Sequence, residues 1–167
     1  MRTLPGQPKQ LTFMSNMSQR FYATLNHFPF IPSDHLYNIT TSKEKRFLWF
    51  RVAKVCTRTI VGHLDNHNIP LEAAHPHRVF YSPKYYQNYF RFAFVRNPWD
   101  RLVSCWLSKA IHLNRKGGRN RDIFAFYGKS PEELQKFEDF IDFISTLDLE
   151  TSDAHFRLQC RLIDLNN

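Results

Sequence analysis

Two short stretches of this chain carry side chains suited to holding an anion. In the first, Lys54 is followed by Thr57, Arg58 and Thr59; in the second, Arg96 is followed by Ser104. A lysine ammonium neutralises an anionic oxygen as a point charge, whereas an arginine grips a phosphate through two parallel N–H bonds. The hydroxyls and backbone amides of 57–59 add hydrogen-bond donors. Each cation stands at the end of an apolar run and just ahead of a helical pattern. That order places the free N–H groups and positive end of a helix at the strand's end. Two such cradles in one chain point to one ligand with two phosphate-like groups. Structural readings fit as well: Arg96 paired with Asp100, Ser104 merely packed, and lysine and threonine as ordinary residues after a strand.

The elements that must position these residues follow from the pattern. Phe47–Val52 reads as a strand buried on both faces, and Thr57 to about Asn66 as a helix with Ile60, Val61 and Leu64 inward. Arg78–Tyr81 fits a short strand, and Phe90–Val95 a second buried one. Asn97 is a suitable N-cap and Pro98 a suitable first residue for a helix to about Leu113, with Trp99, Leu102, Val103, Trp106 and Ala110 as its apolar stripe. Residues 114–121 form a basic, glycine-containing loop, either a solvated turn or a rim that attracts an anionic acceptor. Ser130-Pro131-Glu132-Glu133 is a capping box opening a helix that ends near Thr146. Asp153–Leu165 has a looser helical pattern. Residues 1–45 are weakly patterned and read as an N-terminal arm or cover, with a short helix over Ser18–Leu25; residues 46–167 read as one α/β domain.

Composition bounds the rest. With 167 residues, 43% of them apolar and 16% aromatic, the chain can bury a core. Its formal charge of +8 calls for an anionic partner without choosing among nucleotide, nucleic acid, acidic glycan and membrane surface. Five glycines are too few for a glycine-rich phosphate loop, and none lies between Arg51 and Ile60, so the first loop is not a Walker A motif. Cys56, Cys105 and Cys160, widely spaced and odd in number, read as thiols rather than a disulfide framework or zinc site. His63 and His67 lie four apart on one helix face, but Leu64 replaces the glutamate of a metalloprotease motif, so no metal is expected. No apolar run approaches the roughly 20 residues of a membrane span, and no signal peptide is apparent. A cytoplasmic location is the simplest expectation, with the Golgi lumen open for a fragment of a longer eukaryotic protein.

Three segments carry a family resemblance. Ala53-Lys54-Val55-Cys56-Thr57-Arg58-Thr59 resembles the 5′-phosphosulfate loop of sulfotransferases, P-K-T-x-[ST]-[ST]-[ST]. Phe94-Val95-Arg96-Asn97-Pro98-Trp99-Asp100-Arg101-Leu102-Val103-Ser104-Cys105-Trp106 is similar to their 3′-phosphate motif, F-V-R-N-P-x-D-R-L-x-S-x-[YW]. Asp153-Ala154-His155-Phe156-Arg157-Leu158-Gln159 resembles D-x-H-[WF]-x-P-Q of the carbohydrate (Golgi-type) branch and its bacterial relatives, sulfotransferase family 2. The sequence departs from these patterns at Ala53, Arg58 and Leu158. The resemblance implies a P-loop-like three-layer α/β fold, a central parallel sheet flanked by helices. It implies 3′-phosphoadenosine 5′-phosphosulfate as donor, a hydroxyl of a carbohydrate or similar acceptor, and no metal. Lys54, Val55, Cys56, Thr57, Arg58 and Thr59 would then hold the phosphosulfate, Lys54 also stabilising the leaving oxygen, while Arg96 and Ser104 hold the 3′-phosphate. In the family's 2-O branch a histidine of an H-x-H-V-like segment is the base, which His75-Pro76-His77-Arg78-Val79 resembles; His77 is the first candidate and His75 the second. The family pattern continues past the equivalent of Asn167, which implies a domain short at its C-terminus. Other readings are a degenerate fold that binds the nucleotide without turnover, a basic RNA-binding domain using Tyr85, Tyr86 and Tyr89, and a kinase-like enzyme. Steeply salt-dependent RNA affinity or Mg-dependent ATP hydrolysis would mark the last two.

Overall fold

Strand β2 (Phe47–Phe50) is the centre of a three-stranded sheet, between β1 (Ile39–Ser42) and β3 (Phe90–Ala93). The computed structural model describes residues 33, 35–72, 78–112 and 123–165. These fall into two compact units, one with the residues up to Val52, Cys56–Phe94 and those from Leu162 on, the other with Ala53–Val55 and Val95–Arg161.

In the first unit β1 (Ile39–Ser42) pairs antiparallel with β2, Ile39 opposite Phe50 and Ser42 opposite Phe47. β3 (Phe90–Ala93) pairs parallel with β2, Phe47 opposite Phe90 and Phe50 opposite Ala93. The described sheet is therefore mixed rather than all parallel. Two-faced burial holds for β2, whose four side chains are all buried because other side chains pack over both of its faces. It fails for β3, where Phe90 is 71% and the following Val95 63% exposed. One face of β2 packs with Tyr37, Ile39, Val79, Tyr81 and Tyr86. On the other, Trp49 stacks flat on Phe92, with ring centroids 6.2 Å apart. Arg78–Tyr81 does not form a strand; Val79 makes one antiparallel bridge to Tyr37. Tyr81 is fixed further by its hydroxyl, which donates to Asp164. Helix α1 (Thr57–Asn66) has the expected span, but Ile60, Val61 and Leu64 are only half-buried. His63 and His67 are exposed on it.

The second unit is built on α2 (Pro98–Trp106), which runs directly into a π-helical turn at Leu107–Ile111. The capping box forms: Ser130 N–H donates to Glu133 Oε2 at 2.7 Å, and Glu133 N–H to Ser130 Oγ at 3.3 Å. It closes only a 3-10 turn, Glu132–Leu134, and extended backbone at Lys136 delays α3 to Phe137–Ser145. Residues 153–165 are turns with one 3-10 helix, Gln159–Leu162, in place of a longer helix. Phe124, Phe140, Phe143 and Phe156 form the centre of this core, Phe124 stacked on Phe156 at 5.9 Å, with Cys105, Leu134 and Ile144 around them. The proposed helix over 18–25, the basic loop 114–121, His75 and His77 lie outside the described residues.

Cys105 is fully buried, and burial pushes its thiol up to about 11, whereas Cys56 and Cys160 are exposed. An aromatic disulfide reagent at pH 8 should therefore react rapidly with two of the three thiols of the native chain, and with the third only on adding denaturant.

Candidate anion-binding site

The loop after β2 adopts an uncommon backbone. Lys54 and Cys56 both have positive φ, 70° and 61°, without being glycine. Left-handed backbone at such residues costs about 1–2 kcal/mol each and persists where its surroundings enforce it. Part of that enforcement comes from Arg101. Its guanidinium is buried at 4% exposure and donates to three main-chain carbonyls: Ala53 (Nε, 3.0 Å), Arg157 (Nη1, 2.9 Å) and Ala154 (Nη2, 2.7 Å). Sequence periodicity put Trp99, Leu102, Val103, Trp106 and Ala110 on the inner face of α2. Ala110 is buried as expected, but the other buried positions are Arg101 and Cys105; Trp99 is 74% exposed, Val103 is exposed, and Leu102 and Trp106 are half-buried. Arg101 occupies an inward position because the carbonyls replace the water its charge loses.

Arg96 is held just as specifically. Gln159 Oε1 accepts from the Arg96 N–H at 3.0 Å, while Gln159 Nε2 donates to the Arg96 carbonyl at 2.8 Å. Asn97 caps α2 as expected, its Oδ1 accepting from Trp99 N–H at 3.0 Å and Asp100 N–H at 3.5 Å. These contacts leave the guanidinium itself unengaged: among the described residues it makes no ion pair or hydrogen bond, so pairing with Asp100 is not seen.

Lys54, Arg96 and Ser104 come together in the second unit. They line one cavity of about 340 Å³ with Asp100, Val103, Leu107, Ser108 and His112. Its size falls within the usual range of small-molecule sites. Lys54 Nζ donates to Ser108 Oγ at 2.5 Å, and Ser108 in turn donates to the Cys105 carbonyl at 3.3 Å. Val55 is buried beside Lys54 in sequence. Cys56, Thr57, Arg58 and Thr59 belong to the first unit. Thr57 opens α1 with its hydroxyl donating to the Val52 carbonyl at 3.5 Å, while Arg58 and Thr59 are exposed. Sequence reasoning did not single out Ser108 or His112. The signal was the fourfold spacing of Asp100, Ser104, Ser108 and His112, all polar in a segment that is otherwise apolar except for Arg101 and Lys109.

The third motif bonds to this site through Gln159 and elsewhere closes on itself. Asp153 Oδ1 accepts from the His155 ring Nδ1 at 2.6 Å and from its backbone N–H at 3.0 Å. Partial burial alone would raise the Asp153 carboxyl, but the hydrogen bonds from His155 outweigh it and hold the group at about 2. Among the described residues no group of three or more histidine, cysteine, aspartate or glutamate side chains could hold a metal.

A sequence model of the sulfotransferase family matches residues 37–163. The chain belongs to the sulfotransferase family. No curated protein and no solved structure matches it.

Two stability predictions follow from these contacts. Arg101→Lys should cost about 3 kcal/mol in chemical denaturation, since one ammonium cannot serve three carbonyls spread around a planar fork. For Asp153 the folded pKa lies below the unfolded value of about 3.9, so its contribution is present above pH 4 and lost as pH falls through about 2. Glu133 and Asp148 are also depressed, so the difference between wild type and Asp153→Asn across pH 4 to 2 isolates it; the variant should show the shallower acid loss.

Proposed function

We propose that the chain transfers a sulfuryl group from 3′-phosphoadenosine 5′-phosphosulfate to a hydroxyl of a carbohydrate or similar acceptor. The observation that carries this reading is the Arg96 guanidinium, without a partner among the described residues, sharing one cavity with Lys54 and Ser104. Arg96 and Ser104 hold the 3′-phosphate. Lys54 meets the phosphosulfate and takes up charge on the leaving oxygen, and by the family pattern the run from Val55 to Thr59 that follows it binds the same group. Sulfuryl transfer resembles phosphoryl transfer: in-line displacement with catalysis mainly by positioning and charge stabilisation. On this reading the described strands belong to a P-loop-like three-layer sheet, 46–167 is the catalytic domain and 1–45 an arm or cover.

Calorimetric titration with adenosine 3′,5′-bisphosphate should show saturable binding, weakened at least about tenfold by Arg96→Ala and less by Ser104→Ala. Absence of binding, or affinity indifferent to Arg96→Ala, would overturn the reading. Steeply salt-dependent RNA binding in its place would favour a nucleic-acid module.

A further inference from the structure

Three of the four cavity residues on the fourfold polar spacing, Asp100, Ser104 and Ser108, are accounted for by the helix start, the phosphate grip and the lysine contact. His112 is not. Its position depends on the π-helical turn. In a continuous α-helix every four-residue step overshoots a full turn by about 40°, so a row spaced by four drifts steadily around the helix. The wider turn at Leu107–Ile111, in which His112 N–H bonds to the Leu107 carbonyl at 2.9 Å, turns the row back. His112 consequently lines the same cavity as Asp100, Ser104 and Ser108. It is the one histidine among the described residues that does so.

The order along the helix gives this position a chemical meaning. Arg96 stands at the foot of α2 and Ser104 midway. Lys54 is held at the level of Ser108, and His112 lies about one turn, roughly 5 Å, further on. An anion gripped at one end by Arg96 and at the other by Lys54 thus presents its outer group toward His112. We propose that His112 is the proton acceptor of this site, taking the proton of the hydroxyl that enters beyond Lys54. The assignment rests on the sulfuryl-transfer reading. In the step, the acceptor oxygen forms its bond to sulfur as the bond from sulfur to the phosphate oxygen breaks. The electron pair stays on that oxygen beside Lys54, and the acceptor proton passes to the imidazole. Imidazole is the side chain suited to accept a proton near neutrality. The charged groups that share the cavity with it are Lys54, Arg96 and Asp100.

The test uses the full chain, with adenosine 3′,5′-bisphosphate as binding probe and water as acceptor in donor hydrolysis. The His112 ring signal, assigned by its loss in His112→Asn, should shift on saturation with the bisphosphate. His112→Asn should slow hydrolysis about a hundredfold, with bisphosphate affinity within twofold of wild type. His77→Asn is measured beside it, because the family resemblance makes His77 the competing candidate for the same role. A ring signal unmoved at saturation, an unchanged rate in His112→Asn, or the loss appearing in His77→Asn instead would each overturn the assignment while leaving the nucleotide reading intact. If wild type shows no hydrolysis, the ring signal decides. Failure of the bisphosphate to bind at all would instead overturn the reading beneath it.

Discussion

A buried guanidinium with no carboxylate partner among the described residues is the constraint on which the second unit turns. Taking a charge out of water costs several kcal/mol unless polar groups replace the lost hydration. Arg101 obtains that replacement from the carbonyls of Ala53, Ala154 and Arg157. The requirement runs both ways, because three carbonyls without the arginine would be short of donors. One side chain on α2 therefore fixes the residue before Lys54 and the turn that carries the third motif. Burial lowers the Arg101 pKa from its ordinary value, yet a guanidinium starts so high that it stays charged. A lysine in that place would lose its proton or its geometry.

The third motif is intelligible in the same terms, residue by residue. Phe156 is core, stacked on Phe124. Asp153 and His155 close a local turn on each other. Arg157 donates to the carbonyls of Ser152 and Thr151, at 2.9 and 2.6 Å, and so braces its own loop. Gln159 pairs with both backbone groups of Arg96, as a neighbouring strand would. None of these contacts requires the residues to touch a ligand. The Gln159 pair converts a weak sequence pattern into a fixed backbone position for Arg96, whose side chain lines the cavity.

Local signals in the sequence were enough to find β2, the span of α1 and the start of α2, since each rests on neighbours within a few residues. Asn97 caps because its own side chain reaches two following amides. Lys54, Arg96 and Ser104 drew attention as cation and hydroxyl types after apolar runs, a pattern ordinary post-strand residues also give, and the long motif from Phe94 to Trp106 added the weight that spacing alone lacked. What escaped depends on distant partners. The antiparallel partner strand Ile39–Ser42 has two threonines and a serine among four residues, so periodicity and hydropathy gave it no weight, yet all four are buried against β2. Burial of Arg101 could not be inferred, because the carbonyls that make it tolerable come from residues about fifty positions away. Exposure of Phe90 at the start of β3 was hidden for a related reason: an aromatic residue reads as interior whether or not distant side chains cover it.

Charge alone does not explain the site. The chain carries eight excess positive charges, enough to draw anions in from solution, but steering of that kind is spread over the surface and screened within about 8 Å at physiological salt. Inside the cavity the balance is more even, because Asp100 accompanies Lys54 and Arg96. That carboxylate lies in the first turn of α2, where it favours the helix dipole while opposing an incoming anion. A site selected only for anion affinity would not place it there. A site selected for alignment would accept it, since in-line transfer depends on where donor and acceptor atoms stand to within a fraction of an ångström. The capped helix start, the backbone of Arg96 clamped by Gln159 and the lysine held on a serine hydroxyl fix where the cationic groups stand, which is what such alignment would require.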